Sequence, residues 1–255
     1  MAADTPDSPP VRPVVTRRQA LFVQVLAVWL ALSTALLFLI NSHQRVGRAV
    51  IGMACGMIVL WIFLGGALMV RFREPIARGV RAIRLPWVLK FVAFATLLAL
   101  VEEAITVTMT NLAPLFGVKV GEAYITASAD YLDVVLHHSV IVFVPLFIGW
   151  AVILARYPFT AWHAFFLFGI TGTLAEVSFG GPQQALGFGM WCFVYGLMVW
   201  LPAYSSEEPR NPRPLRWWHY PLAIFVPFLF EIPWSLLMRI FMTPHPPIHF
   251  PPLGS

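Results

Sequence analysis

Seven runs of about twenty residues each, almost free of charge, constrain this chain more than any other feature. They fall at 19–40, 49–70, 86–110, 132–155, 160–179, 185–203 and 220–242. A bilayer core of ~30 Å takes ~20 helical residues to cross. The expected fold is therefore all-α, a polytopic membrane helix bundle of about seven transmembrane helices spanning 19–242. The fifth run is short and carries Gly169 and Gly172, so it can also be re-entrant. Composition agrees: 59% of residues are hydrophobic and 11% charged, against roughly 25% charged in soluble domains. Residues 1–18 are polar with prolines and aspartates and read as a disordered tail. Residues 243–255 are too proline-rich for a helix. His245 and His249 lie there four apart, which without a helix puts them on no common face, so they read as part of a solvated tail.

Loop charge sets the orientation. Arg71, Arg73, Arg78, Arg81 and Arg84 crowd the second loop, Arg210, Arg213 and Arg216 the sixth. Arg12, Arg17 and Arg18 precede the first run, and Arg156 follows the fourth. Seven spans put all of these on one face, which the positive-inside rule makes cytoplasmic. The N-terminus is then cytoplasmic and the 243–255 tail lies outside. Segment 71–84 spaces its arginines among Ile76, Val80 and Ile83, and reads as a positive-inside anchor that can lie on the inner surface as a basic amphipathic helix. The net charge of +5 is thus explained by membrane flanks, and no nucleic-acid partner is expected. The expected location is an integral one in a plasma membrane, the inner membrane of a bacterium, with the lipid bilayer as partner. Cys55 and Cys192 sit inside separate apolar runs and predict no disulfide.

Ionisable groups within such runs are costly, by ~2.5–3.5 kcal/mol each at the centre of a membrane helix, and point to a site. Glu102 and Glu103 lie some sixteen residues past Pro86, ~24 Å along the third helix, toward its outer end. Glu103, Thr106 and Thr110 share one helix face, while the two adjacent carboxylates point ~100° apart. In the fourth run Asp130, Asp133 and His137 follow the same spacing, with His138 to the side. An aspartate and a histidine four apart suit a shared metal, or a carboxylate orienting an imidazole. Glu176 in the fifth run stands on a face with Gly169, Gly172 and Thr173, where close helix approach is possible. Glu103, His137 and Glu176 come to similar outer depth, which is the sequence argument for one site.

Three chemistries fit these residues. Carboxylate and imidazole ligands suit a divalent metal, zinc above all, with Glu103, Asp133, His137, His138 and Glu176 as ligands. A metal with an open position activates water, and a neighbouring glutamate serves as general base. That gives a membrane-embedded hydrolase acting on a membrane peptide or lipid-linked molecule, with Glu102, Glu103, His137 and His138 as its catalytic groups. The same acids can instead form a proton or cation relay in a small transporter or a non-catalytic membrane complex. They can also be a satisfied polar network that holds three helices together.

The Glu102-Glu103 pair followed by His137 and His138 about one helix later resembles the CAAX-protease and bacteriocin-processing family of glutamic-type intramembrane proteases. The resemblance implies that Glu103 or Glu102 activates water, and that His138 or His137 helps to bind metal or stabilise an oxyanion. The match has departures. Val107 stands where the family carries arginine, and Asp133 and Val134 stand where it carries phenylalanine. Glu176 would replace the histidine of its third motif. The chain has no P-loop, Rossmann fingerprint, Cys-based zinc motif, HExxH or GxSxG. Nucleotide-driven and soluble-metalloprotease chemistry are therefore not expected.

Other features read as structural. Glu231, between Pro227 and Pro233, is expected to pair with Arg239. His163 reads as an interfacial anchor beside Trp162. Gly52 and Gly56 read as a helix-packing pair.

Overall fold

A computed structural model describes residues 16–206 and 213–241, apart from the side chains of Arg239 and Phe241. Residues 1–15, 207–212 and 242–255, with Arg12, Arg210, His245 and His249, lie outside the described residues. Within the described residues all regular structure is helical, beside one isolated bridge between Val120 and Ala123. The helices are α1 (Arg17–Ile40), α2 (Arg45–Met57), α3 (Gly66–Ala82), α4 (Trp87–Asn111), α5 (Tyr131–Asp133), α6 (Val140–Arg156), α7 (Ala161–Gly180), α8 (Phe188–Ser205) and α9 (His219–Phe241).

This is a membrane protein by the length and apolarity of its helices. Among the described residues four stretches are long and apolar enough to cross a bilayer: Arg17–Ile40, Arg45–Ala82, Pro182–Ser205 and His219–Met238. A fifth is added if Tyr131–His138 and Val140–Arg156, bent by 48°, form one span. The helices α4 and α7, which carry Glu102, Glu103 and Glu176, have 25 and 20 residues but are not among those four.

Two boundaries differ from the sequence expectation. The second run does not stop at residue 70. A π-helical stretch, Ile58–Gly65, joins α2 to α3, and the helix continues to Ala82, taking in most of the arginine segment. Pro75 is tolerated inside it, and the stop comes only when Ile83 turns extended (ψ 127°) ahead of Pro86. The fifth run, short enough to be re-entrant, is one continuous helix, α7. The broken run is the fourth. Its π turn Val134–His138 ends at Ser139 (φ −121°, ψ −76°), after which α6 restarts.

The antiparallel pair α7 and α8 forms the centre. Close approach depends on missing side chains. A Cβ on Gly169 would lie 2.8 Å from the Cys192 backbone, and one on Gly196 would lie 2.8 Å from the Phe165 carbonyl. Around this pair α4 packs on α6 and α8, α6 on α9, and α3 and α1 on α8. Trp61, in the π-helical stretch, is fully buried and donates its indole N–H to the Val194 carbonyl of α8 at 3.1 Å. Gly52 and Gly56 pack as expected: a Cβ there would strike Phe116 and Met109 respectively.

Candidate functional site

The polar site is built on α4, the bend before α6, and the α7–α8 pair. Glu102 and Glu103 are both buried, at 5% and 7% exposure. Helical spacing alone predicts that one of two adjacent glutamates turns aside. Both are interior because α4 is flanked by α6 on one side and α8 on another, so two of its faces are covered. Glu103 accepts hydrogen bonds from Ser139 Oγ, across the bend, and from Thr106 Oγ1 at 3.0 Å. Glu176, half-buried on α7, accepts from the hydroxyl of Tyr195 on α8. The three carboxyls are close enough for their charges to act on one another, and all three act on Tyr195. The Tyr195 ring sits over Gly172, where a Cβ would come within 2.1 Å of it. Removing one side chain from α7 thus makes room for the group that bonds Glu176.

A second cluster lies along the broken helix. Asp133 Oδ1 is 3.1 Å from His137 Nδ1, and Asp133 Oδ2 is 3.8 Å from His138 Nε2. Asp130 does not share their face. Because α5 starts at Tyr131, Asp130 is its N-cap and accepts from the backbone N–H groups of Leu132 and Asp133. Asp133 keeps the contact four residues on that an ordinary helix gives, and the π turn at 134–138 also brings His138, five residues on, toward it. His137 is exposed, while Asp133 and His138 are half-buried.

The residues expected to ligate metal therefore divide. Glu103 and Glu176 belong to the carboxyl cluster, and Asp133, His137 and His138 to the other. Among the described residues no three His, Cys, Asp or Glu side chains are placed to hold a metal ion. The donor set does not fit zinc, which needs three or four ligands converging at ~2.0–2.3 Å.

Sequence reasoning missed Ser139 and Tyr195. A serine beside two histidines carries no periodic signal. Tyr195 was legible only through the glycine at 172 that leaves room for it. Tyr131 also enters the neighbourhood, donating its hydroxyl to the Leu100 carbonyl at 3.0 Å, one turn before Glu103. His163 has a local role: its Nδ1 accepts from the Thr160 N–H at 3.1 Å and closes the capping box of α7. Glu231 accepts from Ser235 one turn on, and the Arg239 side chain lies outside the described residues.

No family model matches the chain, and neither the curated proteins nor the solved structures offer a match.

Proposed function

We propose that this chain is a seven-span membrane protein, N-terminus in the cytoplasm, that carries protons through its outer half as a proton- or cation-coupled transporter or as the relay subunit of a membrane complex. In this reading α4 and α7 are spans as well, each shielded by the helices around it. The arginine-rich ends of the helices favour the cytoplasmic N-terminus and a bacterial inner membrane. The observation that carries the reading is the Ser139–Glu103 hydrogen bond. It ties the buried carboxyl cluster to the residue that follows His138 in sequence, and His138 and exposed His137 both lie near Asp133. Proton-exchanging groups thus lie on both sides of Ser139, with Asp133, His137 and His138 on one side and Glu102, Glu103, Glu176 and Tyr195 on the other. Such an arrangement suits successive proton transfers, and it needs no metal.

Infrared difference spectroscopy on the lipid-reconstituted protein tests this without knowing any cargo. A step between about pH 5 and about pH 8, the range in which histidine exchanges its proton, should change the carboxyl C=O band, and Glu103→Gln should remove part of that change. If the carboxyl band stays constant through the step, the relay is wrong.

A second reading rests on the Asp133–His137 contact of 3.1 Å. A carboxylate that orients an imidazole, on a helix that is also tied to Glu103 through Ser139, is the equipment of general-base hydrolysis. It agrees with the resemblance to glutamic-type intramembrane proteases, with Glu102 or Glu103 activating water against a membrane peptide or lipid-linked substrate. Stoichiometric metal in the purified protein, together with cleavage lost on Glu103→Gln, would favour this reading over the relay.

A further inference from the structure

One end of the bundle gathers the starts of α1, α7 and α9 and the ends of α3, α6 and α8. Arg81 Nη2 donates to the Tyr204 carbonyl at 3.0 Å, near the end of α8. The Arg213 N–H donates to the Arg156 carbonyl at 2.9 Å, and the Tyr157 and His219 rings lie 4.1 Å apart. Phe22 and Phe166, near the starts of α1 and α7, have ring centroids 4.2 Å apart. Of the described acids, Glu74 alone is at this end, and it is engaged by the Tyr204 hydroxyl and by Arg73 at 3.7 Å.

The helix from Arg45 to Ala82 has 38 residues. At ~1.5 Å per residue it is ~57 Å long, well beyond a ~30 Å core. Its last turns carry the arginines past the apolar stretch, and the Glu74–Tyr204–Arg81 contacts fasten them to α8. Arg71, Arg78 and Arg84 are exposed, and among the described residues none has an acidic partner. Arg71 and Arg78 are seven apart and share a face. Apolar side chains stand among them: Phe72, beneath the Arg71 guanidinium at 5.4 Å, is 45% exposed, and Ile83 is 50% exposed. A soluble acidic partner would leave these apolar groups in water. The headgroup layer takes both, with guanidinium groups at the phosphates and apolar side chains toward the acyl region.

We infer that Arg71 and Arg78 on the projecting end of α3, with Arg84 just past it, form a binding surface for the phosphate headgroups of anionic phospholipids. The surface is separate from the acid cluster and does not depend on what that cluster does.

The test uses the full chain in detergent, supplied with dioleoyl-phosphatidylglycerol, dioleoyl-phosphatidylcholine or inorganic phosphate. Thermal melting and lipid retention by native mass spectrometry are read together. Phosphatidylglycerol should raise the melting temperature and stay bound, and the other two should not. In R71Q/R78Q/R84Q retention should weaken about fivefold per arginine removed, with melting in detergent alone unchanged. If the glutamine variant does not fold, R71K/R78K/R84K serves: it keeps the charge and should retain phosphatidylglycerol. The inference fails if phosphatidylcholine or inorganic phosphate matches phosphatidylglycerol, or if the glutamine or the lysine variant departs from its stated behaviour.

Discussion

Ser139, the residue at which the fourth apolar run bends, donates its hydroxyl to the buried carboxyl of Glu103 on α4. One hydrogen bond thus serves two purposes. It satisfies an acid that lies among apolar helices, and it holds a helix break in place. The backbone at the break is short of regular partners, since the Ser139 N–H reaches back to the Val134 carbonyl at 2.9 Å and α6 starts afresh. Ser139→Ala should therefore cost about 1–3 kcal/mol, the penalty of leaving a buried acceptor short of a donor. A lowered melting temperature in detergent, with faster amide exchange confined to 134–143, would report it. Unchanged exchange there would mean that the bend does not depend on this contact.

Tyr195→Phe keeps the ring over Gly172 and removes only the hydroxyl that bonds Glu176. The expected loss is about 1–3 kcal/mol. Gly172→Ala reaches the same bond from the other side, by displacing the ring. The two changes act on one contact, so a double-mutant cycle should show strong non-additivity. Additive melting shifts would show that ring position and hydrogen bond are independent.

Glycine substitutions should separate packing from propensity. Gly169→Ala forces a Cβ onto the Cys192 backbone at 2.8 Å, whereas Gly79 has nothing within 4 Å. Gly169→Ala should destabilise by about 1–3 kcal/mol as an overpacked contact. Gly79→Ala should stabilise by up to about 1 kcal/mol, since exposed helical glycine is replaced by a better helix former. Paired thermal melts decide this, and a destabilising Gly79→Ala would place an uncounted neighbour at that face.

At the opposite end from the arginines, Glu122 accepts from both the Arg45 guanidinium and the Lys119 N–H. Arg45→Ala should cost under about 1 kcal/mol and lose its effect in high salt, as exposed ion pairs do. Glu122→Ala should cost more, because it also releases the loop backbone. Limited proteolysis within 112–130 should be faster in Glu122→Ala than in Arg45→Ala.

The apolar runs made the helices legible, and both ends of α4 and the start of α9 fall within a residue of the expected ones. The acids were legible because a carboxyl in an apolar helix has no bland composition to hide in. What was hidden depends on helix phase and on partners distant in sequence. Ordinary helical spacing pairs Asp133 with His137, as found, but it does not show Asp130 turning aside as the N-cap or His138 drawing near Asp133 through the π turn at 134–138. Both members of the Glu102–Glu103 pair are interior because of what surrounds α4, and a single helix's pattern cannot carry that. The join between α2 and α3 was hidden for a related reason. The arginines change the hydropathy at residue 71 without changing the backbone, so a composition boundary fell where no structural boundary exists.

That join sets the direction in which α3 faces. A residue added to turns of ~3.6 rotates everything downstream by ~100°. On its near side α2 addresses α4, on its far side α3 addresses α8, and Trp61 is pinned to Val194 where the phase changes. One continuous rod therefore behaves as two differently keyed shafts. Inserting or deleting a single residue between 58 and 65 would turn the arginine-bearing end about its own axis as well as moving it along, exchanging the guanidinium groups that face outward for those now held against α8.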